Sequence, residues 1–139
     1  MDMYAKALEI AMKAHKGQVD KAGVEYIEHP KYVASLVSTE EEKTVALLHD
    51  VIEDSEYRLA DLDAAGFSEN ILIAVALLTK IPGSSYQIYL EGIKSNKLAC
   101  RVKLADLKHN SDLARISNPT EKDYERLEKY KQAIDYLKN

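Results

Sequence analysis

Apolar positions recur at helical spacing along nearly the whole chain. Tyr4, Leu8, Ala11, Met12 and His15 are separated by threes and fours, which predicts a first amphipathic helix. Gly17 stands where a left-handed residue would end it, and His15 and Lys16 lie at its negative end. The segment 18–28, QVDKAGVEYIE, centres on Gly23 and reads as a turn or loop. His29-Pro30 opens a second helix, since proline suits a first helical position, and Tyr32, Val33, Leu36 and Val37 supply its apolar face. Thr39 then offers an N-cap with Glu42 three residues on, a capping box in which each side chain satisfies the other's backbone amide. The run that follows to Asp54 holds no Gly or Pro and reads as one continuous helix.

Beyond it, a short helix over 59–65 is closed by Gly66, and Ser68 caps the almost wholly apolar body ILIAVALLTK, which predicts a core element. Pro82-Gly83 breaks the chain, and Ser84 or Ser85 starts a helix through Tyr86, Ile88, Tyr89 and Ile93. Residues 97–110, KLACRVKLADLKHN, form the next, with Leu98, Val102, Ala105 and Leu104 inward. Thr120 caps a charged last helix in which Leu127, Tyr130, Ile134 and Leu137 keep a 3-4-3 stripe, suited to the body of the protein or to a second subunit. No strand pattern, repeat or low-complexity tract interrupts this. The expected fold is all-α, about eight helices with no sheet of consequence.

Composition sharpens the picture at three points. A chain of 139 residues, 46% hydrophobic, makes one domain with a real core. The single cysteine, Cys100, excludes a disulfide framework and fits a reducing compartment, and no segment resembles a signal peptide or a membrane span, so the expectation is a cytoplasmic protein. A net charge of −4 without a basic stripe argues against nucleic acid as partner, and leaves open a phosphorylated small molecule neutralised by a cation or local lysines.

The candidate chemistry centres on the helix over 39–54. With His49 at zero on a continuous helix, Glu53 falls at about 40°, Asp50 at about 100° and Asp54 at about 140°. Val45, Leu48, Val51 and Ile52 fill much of the opposite arc. Four ionisable groups on one side of so apolar a helix need partners or a metal. A first-row divalent ion bound by imidazole and carboxylate needs several ligands and an open position. His49 and Asp50 can reach one ion together; His29, beside a helix start, and Asp106, in an otherwise apolar turn, are the candidates for the rest. Asn110 lies four residues past Asp106 on the same face, placed to contact bound substrate. Plainer readings stand beside these: a buried ion pair at His49–Asp50, a solvated helix end at Glu53–Asp54, a cap at His29, a C-cap at Asn110, a loop lysine at Lys21. His15, His109, Tyr86 and Tyr89 read as structural.

The blocks AHKGQ (14–18), DKAG (20–23), YIEHP (26–30), ALLHDVIED (46–54) and VKLADLKHN (102–110) together resemble HD-superfamily phosphohydrolases. Their order and spacing are most similar to the hydrolase domain of RelA/SpoT-type alarmone enzymes, especially the small single-domain relatives. The resemblance implies a compact HD-domain bundle spanning 1–139. It implies that His29, His49, Asp50 and Asp106 bind one metal, usually Mn²⁺, that Glu53 and Asp54 position and activate the attacking water, and that Lys21, Tyr26 and Asn110 lie near the nucleotide. The implied reaction removes the 3′-pyrophosphate from ppGpp or pppGpp, leaving GDP or GTP, with no synthetase domain present. The chain departs from the family at Asp20-Lys21, where the longer hydrolases commonly carry Arg-Lys. Asp20 can neither stack on guanine nor favour phosphate as that arginine would. A different phosphorylated nucleotide, such as NADPH, is therefore an alternative substrate, and a non-catalytic nucleotide-binding module a further alternative.

Overall fold

The computed structural model describes residues 2–139. In chain order the helices are α1 (Met3–Ala14), α2 (Glu28–Ser35), α3 (Glu40–Leu48), α4 (Val51–Asp54), α5 (Leu59–Ala64), α6 (Glu69–Leu78), α7 (Tyr86–Lys94), α8 (Lys97–Asn110) and α9 (Glu121–Lys138), with a 3-10 turn at Leu113–Arg115. Among the described residues the extended pairing noted is one isolated bridge, Val19 to Glu25, inside the 18–28 loop. The fold is the all-α bundle the periodicity predicts.

The starts of these helices follow from the sequence directly. Thr39 accepts from the Glu42 amide at 3.1 Å while the Glu42 carboxylate accepts from the Thr39 amide at 3.2 Å, closing the expected capping box. Ser68, Ser85, Asn96 and Thr120 each accept a backbone amide at the head of their helices. Each such cap contributes about 1 kcal/mol relative to alanine.

Helix α3 is the axis of the molecule and packs against α1, α2, α6 and α8. Its Val45, Ala46, Leu47 and Leu48 are all fully buried, so it is enclosed on every side. Helix α1 turns Ala7, Ala11 and Ala14 inward, a small-residue stripe that lets it lie close. Met12, expected on that face, falls beyond the stripe's edge and is exposed. Tyr32 is likewise exposed, although Val33 beside it is buried. Helix α9 packs on α7 and α8; of its 3-4-3 stripe Leu137 is buried and Leu127, Tyr130 and Ile134 are partly covered, with Ala133 buried beside them. No helix among the described residues is long and apolar enough to cross a membrane.

One expected element is corrected. Residues 39–54 do not form a single helix: α3 stops at Leu48, His49 and Asp50 make a turn, and α4 resumes at Val51. The His49 ring donates through Nδ1 to the Ala46 carbonyl at 2.5 Å, the acceptor that a continuous helix would give to the Asp50 amide. Asp50 sits at φ −106°, ψ 0°, in the sparsely allowed bridge region, and the ladder restarts with the Asp54 amide on the Asp50 carbonyl at 3.0 Å. The angular positions of Glu53 and Asp54 computed for an unbroken helix therefore do not hold.

Candidate metal centre

Three mutually packed helices deliver the cluster. Helix α2 carries His29 in its first turn, α3 ends on His49 with Asp50 following in the break, and α8 carries Asp106 about one turn before its end. These four residues each offer one ligand atom, and the four atoms lie within 4.8 Å of one another. Asp106 Oδ1 is 2.8 Å from His29 Nε2 and 3.3 Å from His49 Nε2. Asp50 Oδ2 is 3.1 Å from His49 Nε2 and 3.9 Å from His29 Nε2. His29, His49 and Asp106 are buried, and Asp50 is partly open.

The electrostatics are those of a site built around positive charge. Burial by itself would lower the His49 pKa, but the Asp50 and Asp106 carboxylates outweigh it and hold the imidazole well above its usual range. Burial would raise Asp106, yet the Lys103 ammonium, 3.0 Å away, and the two histidines hold it well below the usual carboxylate range. Asp50 is held low in the same way by His49, and Tyr26 donates to its Oδ2 at 2.5 Å. In this geometry the Nε2–H groups of His29 and His49 both face the aspartate carboxylates. Both histidines point Nε2 at the carboxylates while their Nδ1 atoms are engaged elsewhere, on Ala46 and on His109. Two imidazole nitrogens and two carboxylate oxygens converging on one buried point fit a divalent first-row ion.

Glu53 and Asp54 lie at the rim, on the short α4, and both residues are solvent-exposed overall. The Glu53 carboxylate accepts from the Lys80 amide. Its pKa is raised, chiefly by burial of the carboxyl against the protein, with Asp50 adding to it. Asp54 is pushed up to about 6 by burial first and then by the charges of Asp50 and Glu53. The Asp54 carbonyl accepts from Gln18 Nε2 at 2.8 Å, tying α4 to the loop after α1.

Lys21, Tyr26 and Asn110 line one cavity of about 320 Å³, together with Arg115, Arg126 and Tyr130. Tyr26 and Asn110 join it to the cluster, for the Asn110 amide donates to Asp106 Oδ1 at 3.1 Å. Lys21 reaches across to Asp123 at 3.1 Å. Asp20, at the wall of the same cavity, has its carboxylate engaged within the protein: it accepts the Ala22 and Val24 amides and pairs with Arg115 at 3.0 Å, pinning the 18–28 loop to the 3-10 turn. A larger cavity, about 790 Å³, lies elsewhere, on the other face of α8 beside Arg101, Leu104 and Lys108, and holds none of these residues.

Several side chains in the centre escape a reading of the sequence alone. Lys103 and His109 flank Asp106 at i−3 and i+3, a spacing that places them on its face of α8 and offered a signal. His109, read as structural, stacks on Tyr32 and meets His29 edge to edge, and burial, Arg115 and His29 lower its pKa to about 4. Arg115, Arg126 and Tyr130 reach the cavity only through tertiary packing, and nothing local announces them. Tyr89 does behave as a core aromatic, its hydroxyl donating to the Leu78 carbonyl at 3.0 Å.

No family model matches the chain. Among curated proteins, the guanosine-3′,5′-bis(diphosphate) 3′-pyrophosphohydrolase of Haemophilus influenzae is 36% identical over 116 residues, covering 73% of this chain and 17% of that protein. The protein of the same name from Vibrio cholerae is 44% identical over 59 residues, 40% of this chain and 8% of its own length. A GTP pyrophosphokinase of Streptomyces coelicolor is 29% identical over 118 residues, 76% of this chain and 14% of that protein. The chain thus spans only a small fraction of the length of these relatives. A solved structure described as a metazoan ortholog of SpoT that hydrolyzes ppGpp and plays a role in starvation responses superimposes with a TM-score of 0.81 at 22% identity, over 99% of this chain and 86% of that one, and shares its fold. Helical architecture and a histidine–aspartate cluster define the class, an HD-type domain. Within that class the chain is a RelA/SpoT hydrolase-like domain.

Proposed function

We propose that residues 1–139 act as a single HD-type hydrolase domain that removes the 3′-pyrophosphate from guanosine alarmones, converting ppGpp or pppGpp with one water to GDP or GTP and pyrophosphate. The observation that carries this is the convergence of His29, His49, Asp50 and Asp106 on one point, in a chain similar to proteins named for that reaction. These four residues would hold one divalent ion, Mn²⁺ in this reading, displacing the protons that otherwise stand between the two Nε2 atoms and the carboxylates. Such an ion, when bound, acidifies water and stabilises charge developing on a phosphoryl group.

The rest is the work of this chain's own side chains. Asp54, with its pKa near 6, exchanges a proton close to neutral pH and serves as the base toward water. Glu53, fixed by the Lys80 amide, orients that water beside it. Tyr26 holds Asp50 in place and Asn110 holds Asp106, while both face the nucleotide cavity. Lys21, at the mouth of the same cavity, offers positive charge to phosphate once it exchanges Asp123 for the ligand. Lys103 balances Asp106 from the side away from the histidines.

A second reading keeps the hydrolase and changes the nucleotide, for instance to NADPH. It is favoured by Asp20, whose carboxylate is committed to Arg115 and to two loop amides and offers no stacking surface for guanine. Purified protein, chelated and then restored with Mn²⁺, is to be assayed on ppGpp, pppGpp and NADPH. Pyrophosphate and GDP in equal amounts from ppGpp are expected. Phosphate release from NADPH alone would select the second reading, and no turnover of any nucleotide by Mn²⁺-loaded protein would sink both.

A further inference from the structure

His29 can offer Nε2 to a cation only as a bare lone pair, and a neutral imidazole then keeps its single proton on Nδ1. That proton needs a fixed acceptor, because the acceptor decides the tautomer and the ring's orientation. His49 has one that cannot change role, the backbone carbonyl of Ala46. His29 has none of that kind. Its Nδ1 lies 2.7 Å from Nδ1 of His109.

Two imidazole nitrogens at this distance hold one proton between them, so the states of the two rings are locked together. If the His29 proton lies on its Nδ1, His109 must present a bare Nδ1 and carry its own proton on Nε2. If His109 instead carries its proton on Nδ1, His29 must accept there, and its own proton moves to Nε2 and blocks the site. The surroundings hold the His109 ring in one place. It lies edge to edge and nearly coplanar with His29, centroids 5.0 Å apart and planes 10° apart, and Tyr32 covers its face at 4.3 Å and 25°. Arg115 donates to the His109 carbonyl at 3.0 Å and is itself held by Asp20, fixing the end of α8 on which the ring is mounted.

We propose that His109 is a positioning residue of the cation site: its Nδ1 accepts the Nδ1 proton of His29, so that Nε2, which without a cation donates to Asp106 Oδ1 at 2.8 Å, is bare when a divalent ion binds. Tyr32, exposed on α2 where the helical pattern calls for a core residue, is then the outer wall of this pair. The inference rests on the proposed metal site but not on any substrate.

The test is Mn²⁺ binding by titration calorimetry. His109→Phe keeps a flat ring against Tyr32 and removes the acceptor, while His109→Asn returns an oxygen near the position of Nδ1. Affinity for Mn²⁺ should fall about 10- to 100-fold in the phenylalanine variant, as for loss of other outer partners of metal-bound histidines. The metal-free melting temperature should be unchanged, and the asparagine variant should recover most of the affinity. Wild-type affinity in His109→Phe, or an asparagine variant as weak as it, would overturn the proposal. Nitrogen-15 spectra of the unaltered protein loaded with diamagnetic Zn²⁺ in place of Mn²⁺ read the tautomers directly: a proton on His29 Nδ1 with His109 Nδ1 bare is expected, and the reverse would overturn the assignment even if the variants fail to fold. Wild-type protein that takes up no Mn²⁺ at all would instead bring down the metal reading itself, and this proposal with it.

Discussion

The buried cluster and the acidic rim sit a few residues apart in sequence and are built on opposite terms. His29, His49 and Asp106 hang from three long helices packed on one another, and each has its alternative hydrogen bonds taken up. Glu53 and Asp54 sit on a four-residue helix at the surface, with one backbone amide and one loop glutamine to steady them. A site that must hold a cation in fixed geometry benefits from rigidity, and one that must pass protons to and from water needs exposure. The break after Leu48 is what allows both from one stretch of chain: it ends the buried helix at His49 and sends the next turn outward.

This contrast can be broken deliberately. The largest effect should come from the buried side. Asp106→Ala removes a ligand and leaves the Lys103 ammonium buried without its partner, so Mn²⁺ binding and turnover should vanish together. Loss of one member of a buried pair typically costs about 3–5 kcal/mol, and chemical denaturation should show a loss of that order. At the rim the outcome should split. Glu53→Gln should bind Mn²⁺ as the parent does and unfold at the same denaturant concentration, while kcat falls by about 10²- to 10⁴-fold. Equal losses of metal and turnover in that variant would erase the distinction between the two regions.

A smaller effect separates both from the supporting framework. Glu42 is buried at the head of α3, where it accepts two amides and pairs with Arg101 at 2.8 Å, contacts that outweigh burial and hold its carboxyl below its ordinary value of 4.5. The stability this contributes is fully present above pH 4.5 and is lost as pH falls through the lowered value. Glu42→Gln should cost about 1–2 kcal/mol at neutral pH and flatten the acid limb of the stability curve, leaving Mn²⁺ affinity alone. The smallest effect belongs to the loop. Asp20→Ala should cost about 1 kcal/mol or less, since its ion pair with Arg115 is partly exposed, yet it should speed hydrogen exchange at the Ala22 and Val24 amides that Asp20 now accepts.

What could be read from the sequence follows the same division. Helix α8 was legible because its apolar positions keep period; Asp106 stood out within it as a charge in an otherwise apolar turn. The cap at Thr39 was equally plain. The interruption at His49 was not, since no glycine or proline marks it. It arises from the His49 ring taking a carbonyl from the backbone ladder, which depends on the cluster around it. The same limit hid Arg115, which gains its place only when the loop after α8 folds back on Asp20. Asp20 itself drew notice as a departure from the family, but only the fold shows that it holds an arginine in place instead of merely lacking one.

The central claim is that four side chains from three helices close on a single cation. Anomalous scattering from crystals soaked in Mn²⁺ at its absorption edge tests this most directly. The account predicts one strong peak in bonding contact with His29 Nε2, His49 Nε2 and carboxylate oxygens of Asp50 and Asp106. A fully soaked crystal with no peak there, and with His49 still hydrogen-bonded between the two aspartates, would contradict it.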